Sequence, residues 1–255
     1  MNIYILSSVA LVSLLSFSGI LAISFKDEKF RKMISFLIPL AVGALLGDAF
    51  LHLIPEAFEE IEAVPQVSLL IIAGIGLFYF LEKYLRWHHH AHEHHHAHEE
   101  EDSGAVNTRH IGPLILISDG MHNFIDGVVI AVSYMASLEI GIATTIAVAL
   151  HEIPQEVADF GVLIYSGYKK KEALFYNFLS ALTAVLGALI VIASKSFPPE
   201  LLAKFLPFGA GMFIYIAASD LVPELHRNTQ KGNLFREIFG MGLGVLVMYL
   251  LLALE

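Results

Sequence analysis

Residues 67–81 read VSLLIIAGIGLFYFL and residues 240–254 read GMGLGVLVMYLLLAL, two runs without a single charge. A helix needs roughly 20 predominantly apolar residues to cross a bilayer core. Neither run alternates polar and apolar positions as the short strands of a transmembrane barrel do. These stretches therefore decide for membrane-spanning α-helices. The rest of the chain agrees: of its 255 residues 56% are hydrophobic and only 16% charged, with a mean hydropathy of +0.67.

Working outward, apolar segments predict spans at 3–25, 34–58, 66–87, 111–136, 138–166, 172–195, 201–225 and 234–254. The fold class expected is an all-α integral membrane protein with eight transmembrane helices. The first segment lacks the basic leader and small-residue cleavage site of a signal peptide and is read as a retained helix. Basic residues gather in alternate connections: Lys26, Lys29, Arg31 and Lys32; Lys83, Arg86 and Arg109; Lys169, Lys170 and Lys171; Arg227, Lys231 and Arg236. Only Lys195 and Lys204 fall on the other side. Because short cytoplasmic loops are enriched in Lys and Arg, both termini are expected outside. No cysteine is present, so a bound metal must take nitrogen and oxygen ligands.

The chain also repeats itself at an offset of 168 residues. Pro39, Gly43, Ala49, Leu53, Pro55 and Glu56 become Pro207, Gly211, Ala217, Leu221, Pro223 and Glu224, and Gly74 and Gly76 become Gly242 and Gly244. Helices 1–3 thus match helices 6–8. The charge pattern runs the two copies in opposite directions, an inverted repeat around helices 4 and 5 of the kind found in secondary transporters.

Helices 4 and 5 carry the polar residues. His122 and Asp126 stand four apart and share one helix face, with Asn123 at its edge. In the next span His151 pairs with Gln155, and Glu152 with Glu156, the second row extended by Asp159. Each ionisable group inside a membrane costs about 2.5 to 3.5 kcal/mol, so such a cluster marks a site. Imidazoles, carboxylates and amide oxygens together suit Zn²⁺ and similar borderline divalent ions. Pro154 is expected to free the carbonyl of Leu150. Asp119 and Asp159 are read evenly as site lining or structural contacts. In the second and seventh spans Asp48, His52 and Glu56 stand opposite Ser219, Asp220 and Glu224. Asp48 and His52 should share a face along which an ion could be handed.

The runs His122-Asn123-Phe124-Ile125-Asp126-Gly127 and His151-Glu152-Ile153-Pro154-Gln155-Glu156, followed by Asp159-Phe160-Gly161, resemble the His-rich branch of the ZIP (Zrt/Irt-like) divalent metal transporters. The resemblance extends over nearly the whole chain. It implies a single transmembrane transporter domain over 1–255 and a binuclear centre between helices 4 and 5. His122, Asp126, His151 and Gln155 would hold the main transported ion, with His52 as a further contact. Asn123, Glu152 and again Gln155 would line the second position, and Asp48 the outer approach. Many relatives in this branch carry His where this chain has Gln155, which leaves the preferred metal open.

Residues 88–98 contain eight of the 13 histidines and precede Glu99, Glu100, Glu101 and Asp102. The expectation is a disordered, His-rich cytoplasmic loop within 88–109 that captures metal at the inner mouth. No nucleotide-binding loop of the Walker type occurs. The function expected is import of a divalent metal ion, zinc first and iron, manganese or cadmium as others, by alternating access. No prosthetic group, no enzymatic activity and no nucleic-acid partner are expected. The partners are the lipid bilayer and the ion, with a homodimer left open. The membrane expected is a prokaryotic cytoplasmic one. Two rivals stand beside this reading: an intramembrane zinc metalloprotease, whose His-Glu-x-x-His motif fails here at Gln155, and a metal sensor without flux.

Overall fold

The computed structural model describes residues 1–20, 27–96, 111–194, 203–227 and 233–254, and among these every regular element is helical. The order is α1 (Asn2–Leu14), closed by a 3₁₀ turn at Leu15–Ser18; α2 (Asp27–Asp48), a π-helical turn at Ala49–Leu53 and α3 (Ile54–Glu60); then α4 (Val64–His96). Next come α5 (Ile111–Ala136), α6 (Leu138–Tyr165), α7 (Lys170–Ala181) and α8 (Thr183–Ala193). The chain finishes with α9 (Phe205–Tyr215), a second π turn at Ile216–Leu221, α10 (Val222–Arg227) and α11 (Asn233–Leu251).

Five described helices are long and apolar enough to cross a membrane: Phe36–Glu60, Val64–Leu81, Ile115–Ala136, Lys170–Ala193 and Leu234–Leu251. Two expected spans are shorter apolar helices, Asn2–Ser18 and Phe205–Ser219. The remaining one, α6, is about 42 Å long at 1.5 Å per residue. Glu139, Glu152, Glu156 and Asp159 lower its apolarity.

Glycine sets how closely the helices meet. A methyl group added at Gly43 would overlap the Met241 carbonyl, one at Gly211 the Ile71 carbonyl, and one at Gly187 the Phe124 carbonyl. Three pairs are thereby drawn into backbone contact: α2 with α11, α9 with α4, and α8 with α5. Small residues at such crossings gain van der Waals packing where lipid offers no hydrophobic drive for helix association. Gly43 and Gly211 are themselves 168 residues apart, and the two π turns fall at the same offset.

The hairpin of α5 and α6 runs through the middle of this packing. Its turn is a single residue, Ser137, whose hydroxyl accepts the Ile140 N–H at 3.1 Å and caps α6. Such a cap satisfies one of the free N–H groups at a helix start. α6 passes through Pro154 as continuous helix. α4 also outruns its expected end. No Gly or Pro occurs between Gly76 and Gly104 to stop it, so residues 88–96 of the His-rich segment continue the helix where a disordered loop was expected. Residues 97–109 of that expected loop lie outside the described residues.

Overfilling a close crossing costs typically 1–3 kcal/mol. Gly211→Val is therefore expected to destabilise the purified chain by about 2 kcal/mol or more. Gly76→Ala, where an added methyl meets nothing within 4 Å, should stay within about 0.5 kcal/mol of wild type. Thermal unfolding in detergent compares the two, and equal midpoints would remove the crossing from the forces that hold the bundle.

Candidate metal centre

α5 and α6 face each other with His122 and Asp126 on one side and His151 and Glu152 on the other. The four-residue spacing on α5 works as helix geometry requires: His122 Nε2 lies 3.5 Å from Asp126 Oδ2. Across the interface His151 Nε2 is 3.2 Å from His122 Nε2 and 3.3 Å from Asp126 Oδ2. Glu152 Oε1 is 3.7 Å from the first imidazole and 3.6 Å from the second. The four ligand atoms lie within 4.8 Å of one another. A tetrahedral ion with bonds of about 2.0–2.1 Å needs ligand atoms about 3.3–3.4 Å apart. The measured edges bracket that figure.

The imidazoles are held in orientation. His151 Nδ1 sits 3.2 Å from the Ala147 carbonyl, one turn back on its own helix. Only an N–H can serve that oxygen, so the neutral ring turns the lone pair of Nε2 towards Asp126. Fixing one ring nitrogen to free the other is the usual way a histidine is prepared as a ligand. The edge of Phe78 from α4 stands against His122, with centroids 5.5 Å apart, and Phe213 from α9 stands 6.1 Å from His151.

Burial makes the charges conspicuous. Asp126, His151 and Glu152 are 0% exposed. Both carboxylate oxygens of Asp126 and both of Glu152 lack a hydrogen-bond donor. Buried polar groups are normally satisfied, and a buried carboxylate without donor or cation is the costliest kind to leave so. Two carboxylates without donors and two imidazole nitrogens, all buried, have the chemistry to hold a divalent cation.

A second group adjoins the first. Carboxylate oxygens of Asp119, Glu152 and Glu156 also lie within 4.8 Å of one another, all buried. Asp119 accepts from Asn123 Nδ2 at 2.8 Å and from the Ser180 hydroxyl, and Glu156 accepts from Asn177 Nδ2. Asn177 and Ser180 belong to α7 and escaped the sequence reading. Their signal was faint: two polar residues three apart on one face of an otherwise apolar segment.

Of the other expected site residues, Asp48 and His52 belong to neither group. Asp48 is fully buried, accepts from Thr144 Oγ1 at 3.0 Å and leaves its second oxygen without a donor. Thr144 bonds in turn to Ser133 at 3.1 Å. His52 points elsewhere, with Nε2 3.1 Å from the Met248 carbonyl of α11. Gln155 is half-buried, and its side chain makes no hydrogen bond among the described residues.

Comparison with known proteins places this geometry in context. The family model described as "ZIP Zinc transporter" matches residues 1–110 and 86–252. Zinc transporter ZIP13 of Pongo abelii is 33% identical over 229 residues, covering 84% of this chain and 65% of the relative. Zinc transporter YKE4 of Saccharomyces cerevisiae is 31% identical over 236 residues, with 83% of this chain and 67% of the relative covered. Zinc transporter SLC39A7 of Rattus norvegicus is 30% identical over 338 aligned positions, with 99% and 72% covered. The chain thus spans about two thirds of the length of these relatives. They come from animals and yeast and lend nothing to the expectation of a prokaryotic membrane. With the family model covering nearly every residue, the chain belongs to the ZIP zinc transporter family.

Proposed function

We propose that the chain carries Zn²⁺, or a related borderline divalent ion, across a membrane into the cytoplasm through a site made by His122, Asp126, His151 and Glu152. The observation that carries this reading is the convergence of two imidazoles and two donor-free carboxylates, all buried, at near-tetrahedral spacing within a helical hairpin. The names of the relatives supply the ion. Gln155, Asn123, Glu156, His52 and Asp48 are assigned to the approach and exit of the ion around that site.

In this reading the rods cross the membrane eight times, with both ends outside, and spans 1–3 and 6–8 form an inverted repeat around the hairpin. The matched π turns support the repeat, as do the paired glycine crossings. So does the hydrogen bond from the Ser13 hydroxyl to the Ala181 carbonyl at 2.8 Å, since these two residues are themselves 168 apart. Contact between equivalent positions is what a pseudo-twofold axis produces. Opposed repeats provide two related frames against which a central element can shift, the basis of alternating access in such transporters. Asp48 then lies about 10 Å outward of the metal ligands, seven residues up α6 through Thr144, and reads as an outer acceptor of the ion. The His-rich segment is assigned a buffering role at the inner mouth.

Three outcomes test this reading. Proteoliposomes containing a metal-sensitive dye should report Zn²⁺ entry by the wild-type chain. His122→Ala or His151→Ala should cut the rate by at least tenfold. Metal binding with no flux would instead identify a sensor, and cleavage of a membrane peptide would identify a protease, which Gln155 disfavours. Acidification should weaken Zn²⁺ binding, because imidazole and carboxylate ligands must shed protons to hold a metal. Between pH 7 and pH 5 the apparent Kd should rise by at least tenfold, as read by competition with a chelating dye; a flat profile would argue against histidine ligation. Deleting residues 88–102 should leave uptake within about threefold of wild type, since buffering precedes or follows the transport step. Abolished uptake in a correctly inserted deletion variant would give the segment an obligatory role.

A further inference from the structure

The two imidazoles of the metal centre are held in different ways. His151 is fixed through Nδ1 by the Ala147 carbonyl at 3.2 Å. His122 offers Nε2 to the centre, 3.2 Å from His151 Nε2 and 3.5 Å from Asp126 Oδ2, but its Nδ1 has no hydrogen bond among the described residues. A metal-ligating histidine almost always donates its second ring N–H to a partner that fixes the ring. Without one, rotation about χ2, a torsion whose preference is broad and roughly two-fold, can turn Nε2 out of the centre. Something other than a hydrogen bond must hold this ring.

The aromatic neighbours of His122 supply the hold. Phe78 of α4 is buried and stands at 76° to the imidazole with centroids 5.5 Å apart, within the range of an edge-to-face pair. Tyr215 of α9 packs on Phe78 in turn, with centroids 6.3 Å apart. His122 meets His151 at 5.4 Å and 61°, and His151 meets Phe213, again of α9, at 6.1 Å. The rings form one row that leaves α9 at Tyr215 and returns to it at Phe213, with both imidazoles inside it. The row is anchored in backbone. Gly74 stands one turn before Phe78 on the same face of α4, and a methyl group there would overlap the Phe208 carbonyl of α9. With Gly211 against the Ile71 carbonyl, the α4–α9 crossing is locked from both helices, so backbone contact sets where Phe78 stands.

We propose that Phe78 is the positioning residue of His122: its ring takes the place of the missing hydrogen bond and keeps Nε2 among the metal ligands. The inference rests on the reading of His122 as a ligand made above. Its consequence is for specificity. With His122 held, the centre offers two imidazoles and two carboxylates; with it released, one imidazole and two carboxylates remain. Imidazole favours zinc-like ions, whereas carboxylate oxygen suits Mn²⁺. Phe78 carries no ligand atom, yet by holding a nitrogen ligand in place it sets the preference of the site for Zn²⁺ over Mn²⁺.

Zn²⁺ and Mn²⁺ are the probes, added to the full chain in nanodiscs, with the affinity of the tightest site read by competition with a chelating dye. Phe78→Ala should weaken Zn²⁺ binding by about tenfold, the lower end of what losing the partner of a ligating histidine costs, and Mn²⁺ binding by about threefold or less. Unfolding would lower both affinities alike, so the ratio of the two separates positioning from packing. Phe78→Tyr, which keeps the ring, should stay within about threefold of wild type. In the His122→Ala background Phe78→Ala should have no further effect, because residues that act through one another are not additive. Equal loss of Zn²⁺ and Mn²⁺ affinity in Phe78→Ala, or a loss that persists in the His122→Ala background, would overturn the proposal. So would unchanged Zn²⁺ binding in Phe78→Ala while His122→Ala loses it, a result that leaves the metal centre standing. Zn²⁺ binding indifferent to His122→Ala would strike the centre itself and this proposal with it.

Discussion

Much in this fold answers to one constraint: four carboxylates are buried close together in an apolar bundle, and two of them, Asp126 and Glu152, have no hydrogen-bond donor. Two unit charges 4.8 Å apart repel by about 3 to 4 kcal/mol at an effective dielectric of 20. Asp119, Asp126, Glu152 and Glu156 form overlapping pairs within that distance. A stable protein would not keep such a set for its own cohesion, because a buried ionic group is weak evidence of stability. Its presence makes sense where a mobile positive charge enters and leaves. A permanent Lys or Arg in the same place would neutralise the group and compete with the ion.

The surrounding helices supply the cohesion that the hairpin's polar interior withholds. Glycine crossings weld α2 to α11 and α4 to α9, and the α5–α8 crossing at Gly187 anchors the hairpin. Buried Val, Ile, Leu and Phe side chains close the rest. Two of these crossings, at Gly43 and Gly211, are repeat-equivalent. The scaffold can therefore be read as two similar half-frames, each a glycine-locked helix pair, with the charged hairpin between them. Dispersion and backbone contact hold the frames, while the fit of the hairpin depends in part on what occupies its ligands.

The helical class and the convergence of polar side chains in the hairpin were legible because their physics is local. Apolar length identifies a span, and the four-residue spacing of His122 and Asp126 puts their side chains on one face whatever the rest of the chain does. Three features were not legible for equally physical reasons. A π turn adds one residue to a helical turn without a distinctive composition, so Ala49–Leu53 looked like regular helix and Asp48 was expected to share a face with His52. Asp48 bonds to Thr144 and His52 to the Met248 carbonyl, partners on two neighbouring helices that the sequence does not announce. Asn177 and Ser180 lie in the second half of α7, and nothing in their local sequence says which face of that helix is covered. Their burial is a tertiary fact. The His-rich segment was expected to begin a loop at His88, but polarity does not stop a helix; Gly and Pro do, and neither occurs before Gly104.

Gln155 gains a clearer meaning from the geometry. Seen in sequence, a neutral amide in place of the branch's second histidine weakens the case for zinc, because it removes an imidazole from the ligand count. In space the ligand atoms of His122, Asp126, His151 and Glu152 already lie within 4.8 Å of one another, so two imidazoles converge without a histidine at position 155. Two imidazoles with two carboxylates remain a full tetrahedral set for Zn²⁺. What the substitution changes is the neighbourhood into which the ion moves, by making it poorer in nitrogen. With Asp119, Glu156, Asn123 and Asn177 on the same side, that neighbourhood is oxygen-rich throughout. Carboxylate and carbonyl oxygens hold a zinc-like ion less tightly than imidazole nitrogens do, so under the proposed transport reading such a gradient in ligand softness would favour release over retention.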